Sequence, residues 1–98
     1  MMEKSLSYIV IAVAIVEDEE EIRLGIQRFL DRQKDFLCEI AVESVEDFLP
    51  FLKNESLPDV ILMDIGLPGM SGIDGIRLIK EKHPEINIIM LTVYNDPH

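Results

Sequence analysis

The sequence predicts a small α/β domain in which buried strands alternate with helices. Residues 9–16 and 60–63 are continuous apolar runs, which are typical of parallel strands covered on both faces. Between the runs, apolar residues recur every three or four positions, as on one face of a helix. The resulting β-α-β-α-β-α-β order favours a parallel sheet with helices on both faces. With 98 residues, 48% of them hydrophobic, the chain suits one domain with a real core.

The first strand, residues 9–16, is followed directly by an acidic segment and then by a helical pattern. Asp18 and Glu21 are expected to cap the start of this helix, where acids also complement the helix dipole. The apolar face of the helix is predicted to consist of Ile22, Ile26, Phe29 and Leu30.

A second strand is predicted over residues 37–42, followed by a short second helix. Ser44 and Asp47 have the spacing of a capping box, which predicts a helix start at this point. Pro50 lies beyond the first turn, where proline is no longer tolerated, so a kink or break is expected there.

The third strand, residues 59–64, leads through a glycine-rich loop into a third helix. Ser71 and Asp74 again predict the helix start, and Pro84 predicts its end at His83. One side of this helix is expected to carry Ile73, Ile76 and Ile79. A fourth strand is predicted over residues 87–92, followed by a turn-rich tail.

Polar side chains follow three of the predicted strands at their carboxyl ends. Glu17 and Asp18 follow the first strand, Asp64 ends the third, and Thr92 ends the fourth. In open parallel sheets, ligands bind outside these ends, where the strand order reverses. We therefore expect three carboxylates and a hydroxyl to converge at one edge of the sheet.

Crowded carboxylates repel one another, and a hard divalent cation such as Mg²⁺ relieves that repulsion. With a cation present, Asp64 could attack phosphorus and form an acyl phosphate. Thr92 could then donate its hydroxyl to a phosphoryl oxygen, and the carbonyl of Gly66 could bind the cation. Each residue alone has a plainer explanation as a turn former, a helix start or a strand residue, so the prediction depends on their joint placement.

The composition excludes several other classes of function. The net charge of −10 opposes binding to nucleic acid or to anionic membranes. The apolar run at residues 9–16 is too short to span a bilayer. The single cysteine, Cys38, excludes an internal disulfide, and the chain is therefore expected to be cytoplasmic. The glycine spacing matches neither a dinucleotide fingerprint nor a nucleotide-triphosphate loop.

Three segments resemble the receiver domain of two-component response regulators. They are IVEDE at residues 15–19, ILMDIGLPGMSG at 61–72 and MLT at 90–92. The resemblance extends over roughly residues 9–96 and implies a flavodoxin-like, three-layer α/β/α fold. It identifies residues 1–98 as one partial receiver domain with strand order 2-1-3-4, because a receiver continues through a fifth strand and two further helices.

The resemblance also implies a function for each candidate residue. Asp64 matches the phosphoacceptor, which receives the phosphoryl group from a sensor histidine kinase. Glu17 and Asp18 match the acidic pair that binds Mg²⁺, with Asp18 the more direct ligand, and Gly66 matches the backbone carbonyl ligand. Thr92 matches the switch hydroxyl. An output domain outside this chain would control transcription.

The family's fifth strand carries a lysine that contacts the phosphoryl group, and no residue of this chain matches it. We therefore expect impaired phosphotransfer, and either marginal stability or self-association through the exposed edge of strand four. Two alternatives stay open. One is an interaction domain that works without phosphorylation. The other is a phosphohydrolase with an aspartyl nucleophile, which would need an acid where Gly66 stands.

Overall fold

The computed structural model describes residues 9–54 and 56–91, so Thr92 and the predicted tail lie outside the described residues. The elements in chain order are β1 (Ile11–Val16), α1 (Glu20–Asp31), β2 (Phe36–Val42), α2 (Val45–Phe48), a 3-10 helix (Leu49–Lys53), β3 (Val60–Asp64), α3 (Gly72–Lys82) and β4 (Asn87–Leu91). No helix within these two ranges combines the length and the apolar character that a membrane crossing requires.

The four described strands form one parallel sheet in the order β2-β1-β3-β4, which confirms the predicted order. Val16, the last residue of β1, pairs with Met63 of β3, and Asp64 pairs with Leu91 of β4. The carboxyl ends of β1 and β3 therefore lie side by side in the middle of the sheet.

The edge strand β2 contains a β-bulge in its pairing with β1. Val13 pairs with Cys38, but the next residue, Ala14, pairs with Ile40, so Glu39 is the extra residue. Because of the extra residue, Cys38 and Ile40 point to opposite sides of the sheet, although they are two positions apart in the sequence. Glu39 itself is exposed to solvent.

Helices cover both faces of the sheet, which gives the predicted three layers. The core between the sheet and the layer formed by α2, the 3-10 helix and α3 contains Ala14, Val16, Val45, Phe48, Ile61, Met63, Leu67, Ile79 and Ile86. The core on the α1 side contains Val13, Ile15, Leu30 and Cys38. Alternate residues of β1 thus serve opposite cores, as the period of a strand requires.

The helix boundaries agree with two of the three predicted caps. The hydroxyl oxygens of Ser44 and Ser71 accept hydrogen bonds from the backbone N–H groups of Asp47 and Asp74, at 3.0 Å and 3.2 Å. The predicted cap at Asp18 is wrong, because Glu19 is the N-cap residue of α1 and makes no side-chain cap bond.

The predicted helix break at Pro50 and the predicted helix end at His83 are confirmed. Helix α2 ends at Phe48, and the 3-10 helix that follows has Pro50 in its first turn. Helix α3 ends at Lys82, with His83 as its C-cap.

The predicted apolar faces of two helices are partly wrong. Phe29 is 58% exposed, because the adjacent Leu30 takes the inward position and successive helical residues point about 100° apart. Ile73 is 54% exposed for the same reason, since Gly72 beside it is buried. The buried face of α3 consists largely of glycines, so a search for large apolar residues misses it.

Strand β1 is shorter than predicted at its start. The apolar run begins at residue 9, but the strand begins at Ile11, and Ile9 is 80% exposed. The four consecutive buried residues 13–16 end at the acidic segment, so the run is most closely packed where it meets the candidate site.

Two glycines inside helices offer a matched test of close packing. A Cβ at Gly75 would lie 2.8 Å from Cγ2 of the buried Val45, whereas a Cβ at Gly25 of α1 would meet no atom within 4 Å. We expect Gly75→Ala to lower the free energy of unfolding by about 1–2 kcal/mol, because overpacking outweighs the better helix propensity of alanine. Gly25→Ala should instead raise it by about 0.5–1 kcal/mol.

Urea unfolding of both variants beside the wild-type chain measures these changes. Equal stabilisation by both substitutions would contradict the tight contact between α2 and α3.

Candidate functional site

Three carboxylates meet at the carboxyl ends of β1 and β3. Glu17 and Asp18 follow β1 directly, and Asp64 is the last residue of β3. One oxygen from each of the three side chains lies within 4.8 Å of the other two. The structure therefore brings together three acids that the sequence analysis placed at this edge, although Asp64 is remote from the other two along the chain. We call these three residues the acidic cluster.

Burial makes this cluster chemically unusual. Glu17 is only 1% exposed, Asp64 is 9% exposed, and Asp18 is half-buried. Oε2 of Glu17 accepts a hydrogen bond from the backbone N–H of Glu19 at 2.9 Å. Among the described residues, Oε1 of Glu17 is buried without a hydrogen-bond partner. A buried oxygen in this state carries a desolvation cost, which a bound cation would offset.

The pKa of Glu17 is raised from 4.5 to about 7. Burial is the largest cause, since it disfavours the charged form of the carboxyl group. The N–H of Glu19 opposes the shift in pKa, whereas the charge of Asp64 and the nearby carboxyl groups of Asp18 and Asp64 increase it. Near neutral pH, the side chain of Glu17 is therefore present in both its protonated and its charged form.

The backbone of Glu17 is fixed from two sides. Its N–H donates to the carbonyl oxygen of Val42 in β2, at 2.9 Å. Its carbonyl oxygen accepts a hydrogen bond from Nη1 of Arg23 in α1, also at 2.9 Å. The sequence analysis missed Arg23, because nothing in its spacing distinguishes it from other bases on a helix surface.

The loop after β3 is attached to Asp64 at its start. The N–H of Gly66 donates to Oδ1 of Asp64 at 3.0 Å, which orients the carboxylate of Asp64 and brings the Gly66 backbone to the acidic cluster. At the other end of the loop, a Cβ at Gly72 would collide with the carbonyl oxygen of Asp64. Glycine is therefore required there for α3 to start so close to the end of β3.

Comparison with known proteins identifies the family. The sequence pattern of the response regulator receiver domain matches residues 13–98. The chain belongs to this family. The receiver domain is 37% identical over 84 residues to the DNA-binding transcriptional regulator NtrC of Proteus hauseri, covering 86% of this chain and 17% of NtrC. It is also 37% identical over 86 residues to the transcriptional regulatory protein YdfI of Bacillus subtilis, covering 88% of this chain and 39% of YdfI.

Solved structures give the same family. The fold resembles RcsB from Salmonella enterica serovar Typhimurium, solved on a promoter with the phosphomimetic BeF3−, with a TM-score of 0.78 and 27% identity. That match covers 89% of this receiver domain and 50% of the RcsB chain. This chain thus matches well under two thirds of the length of each of these three proteins.

The raised pKa of Glu17 predicts a specific pH dependence of stability. In the unfolded chain Glu17 loses its proton near 4.5, and in the folded chain it does so near 7. The stabilising contribution of its proton is therefore complete below 4.5 and is lost as the pH rises toward 7. Without divalent cations, the wild-type free energy of unfolding relative to Glu17→Gln should fall by about 2 kcal/mol between about pH 5.5 and about pH 8.

Urea unfolding in the presence of a chelator, at a series of pH values, measures this difference. Glu20→Gln removes an exposed acid at the first residue of α1 and should keep the wild-type pH dependence. If the difference in free energy of unfolding between wild type and Glu17→Gln stays constant across this pH range, the raised pKa of Glu17 is contradicted.

Proposed function

We propose that this receiver domain accepts a phosphoryl group on Asp64 from a sensor histidine kinase. The observation that carries the proposal is the buried acidic cluster, in which an unpartnered oxygen of Glu17 lies beside the carboxylates of Asp18 and Asp64. Membership of the receiver family supports the same assignment.

The Asp64 carboxylate is placed to act as the nucleophile. Its Oδ1 accepts the N–H of Gly66, so the orientation of the carboxylate is fixed before the reaction. In the proposed transfer, an Asp64 oxygen forms a bond to phosphorus while the bond from phosphorus to the kinase histidine nitrogen breaks. The electron pair of the broken bond stays on the imidazole, which takes up a proton.

The acidic cluster fits Mg²⁺ by the nature of its donor atoms. Carboxylates of Glu17, Asp18 and Asp64, with the backbone carbonyl of Gly66, would hold the ion, and Mg²⁺ prefers oxygen ligands of this kind. When bound, Mg²⁺ supplies positive charge that offsets the repulsion between the carboxylates and the phosphoryl oxygens.

Thr92 is the remaining residue of the proposed site, and it is assigned from its position in the sequence. Asp64 pairs with Leu91 in the sheet, and Thr92 is the next residue in the chain, outside the described residues. In the proposal its hydroxyl donates a hydrogen bond to a phosphoryl oxygen, and this contact biases the switch between inactive and active states.

The proposed output of this site is the control of transcription in the cytoplasm. NtrC and YdfI are named as transcriptional regulators, and this chain matches only 17% and 39% of their lengths. We propose that the receiver domain acts through an output domain, because the net charge of −10 makes the receiver itself a poor ligand for DNA.

Phosphorylation by a small donor tests the nucleophile directly. With acetyl phosphate and Mg²⁺, the wild-type chain should incorporate phosphate, and Asp64→Asn should reduce incorporation by at least about tenfold because the amide is a poor nucleophile. Intact-mass spectrometry of the acyl phosphate measures the incorporated fraction.

Asp74→Asn is the matched control for this test. Asp74 lies in the first turn of α3 with its side chain 62% exposed, and its replacement should leave incorporation unchanged. Equal incorporation in wild type and Asp64→Asn would refute Asp64 as the acceptor, and a wild-type chain that takes up no phosphate would favour an interaction domain.

Mg²⁺ binding should also be visible as stabilisation of the folded chain. At a free Mg²⁺ concentration about ten times Kd, the free energy of unfolding should rise by about 1.4 kcal/mol, because the ion binds the folded state alone. Asp18→Asn should lose most of this gain, whereas Asp74→Asn should retain it. Chemical unfolding with and without Mg²⁺ measures the gain, and a wild-type chain that Mg²⁺ leaves unchanged would count against the metal site.

A further inference from the structure

Glu46 connects helix α2 to the loop that follows Asp64. Its Oε2 accepts a hydrogen bond from the backbone N–H of Met70 at 3.0 Å, across 24 residues of sequence. The same oxygen would lie 2.7 Å from a Cβ at Gly69, whose φ of +73° is in the left-handed region that favours glycine. The carboxylate therefore lies directly against the backbone of residues 69 and 70.

The helix that presents Glu46 is itself well anchored. Ser44 caps α2 through the N–H of Asp47, and the neighbouring Val45 is fully buried against Gly75 of α3. The hydrogen bond from Met70 lowers the pKa of Glu46, so the carboxylate is charged at neutral pH and the bond is charge-assisted. The exposed carboxylate of Glu46 thus binds the Met70 N–H from a helix that is held in place by its cap and by its buried Val45.

The loop between β3 and α3, residues 65–70, is held at both ends. At its start, the N–H of Gly66 binds Asp64, and at its end the N–H of Met70 binds Glu46. Directly after Met70, Ser71 caps α3. Only three residues separate Gly66 from Met70, so we expect a change at Met70 to alter the backbone conformation available at Gly66.

We infer that Glu46 is a positioning residue for the acidic cluster: by holding Met70, it fixes loop 65–70 and so sets the Gly66 backbone beside Asp64. This inference rests on the proposed function, because Gly66 matters here as a ligand of Mg²⁺. Glu46 contacts neither the cation nor the phosphoryl group in this scheme. Its role is to lower the Mg²⁺ concentration at which the site is half-saturated.

The test is the Mg²⁺ dependence of phosphorylation by acetyl phosphate in the wild-type chain and three variants. Glu46→Ala removes the acceptor of the Met70 N–H and should raise the half-saturating Mg²⁺ concentration by about three- to tenfold, with a smaller effect on the rate at saturating Mg²⁺. Glu46→Gln keeps an acceptor oxygen and should recover most of the wild-type Mg²⁺ dependence.

Asp47→Asn is the charge-matched control. Asp47 is the next residue of α2 and is exposed, so its replacement removes the same charge from the same helix turn without removing the bond to Met70. It should change the half-saturating Mg²⁺ concentration by less than about twofold, since long-range effects of one surface charge are screened by salt.

Hydrogen exchange of the Met70 amide, measured by NMR without Mg²⁺ or phosphate, gives an independent readout. Exchange should be faster in Glu46→Ala than in Asp47→Asn, because the amide loses its acceptor. Equal exchange rates, or an equal Mg²⁺ dependence in Glu46→Ala and Asp47→Asn, would overturn the role of Glu46. A wild-type chain that takes up no phosphate would instead overturn the proposed function, whatever the exchange rates.

Discussion

The pairing of β1 with β3 is the constraint on which the rest of the structure depends. Val16 lies opposite Met63, so the acids at the carboxyl ends of the two strands are forced into one small volume. Their mutual repulsion and their desolvation disfavour this arrangement, and the apolar packing of the adjacent strand residues has to compensate. The acidic cluster is therefore an unfavourable arrangement held by a favourable core, which is typical of sites that await a ligand.

The sequence predicted the strands and the acidic cluster well because both depend on local patterns. Buried strands are visible as apolar runs, and the rule for parallel sheets then places Glu17, Asp18 and Asp64 together. The positions of Phe29 and Ile73 were not predictable in this way, because their exposure depends on which neighbouring residue faces the sheet. The contacts of Arg23 with the carbonyl of Glu17 and of Glu46 with the N–H of Met70 leave no trace in spacing or composition.

Helix α3 transmits the geometry of the core to the loop beside Asp64. Its two buried glycines allow the helix to approach the end of β3 at Gly72 and helix α2 at Gly75. Since α2 also presents Glu46 to the loop, the same two helices that complete one core determine the path of residues 65–70. Packing and site geometry are in this way set by the same contacts.

The bulge in β2 has a consequence for how this strand can evolve. Before Glu39, the strand directs Phe36 and Cys38 toward α1, and after it, Ile40 and Val42 point to the opposite layer. Deleting Glu39 would make Ile40 follow Cys38 directly, and simple alternation would then keep Ile40 and Val42 on the side of the sheet that they face now. Residue 39 can consequently change in identity, or be lost altogether, without moving Ile40 or Val42 out of the core that they pack against.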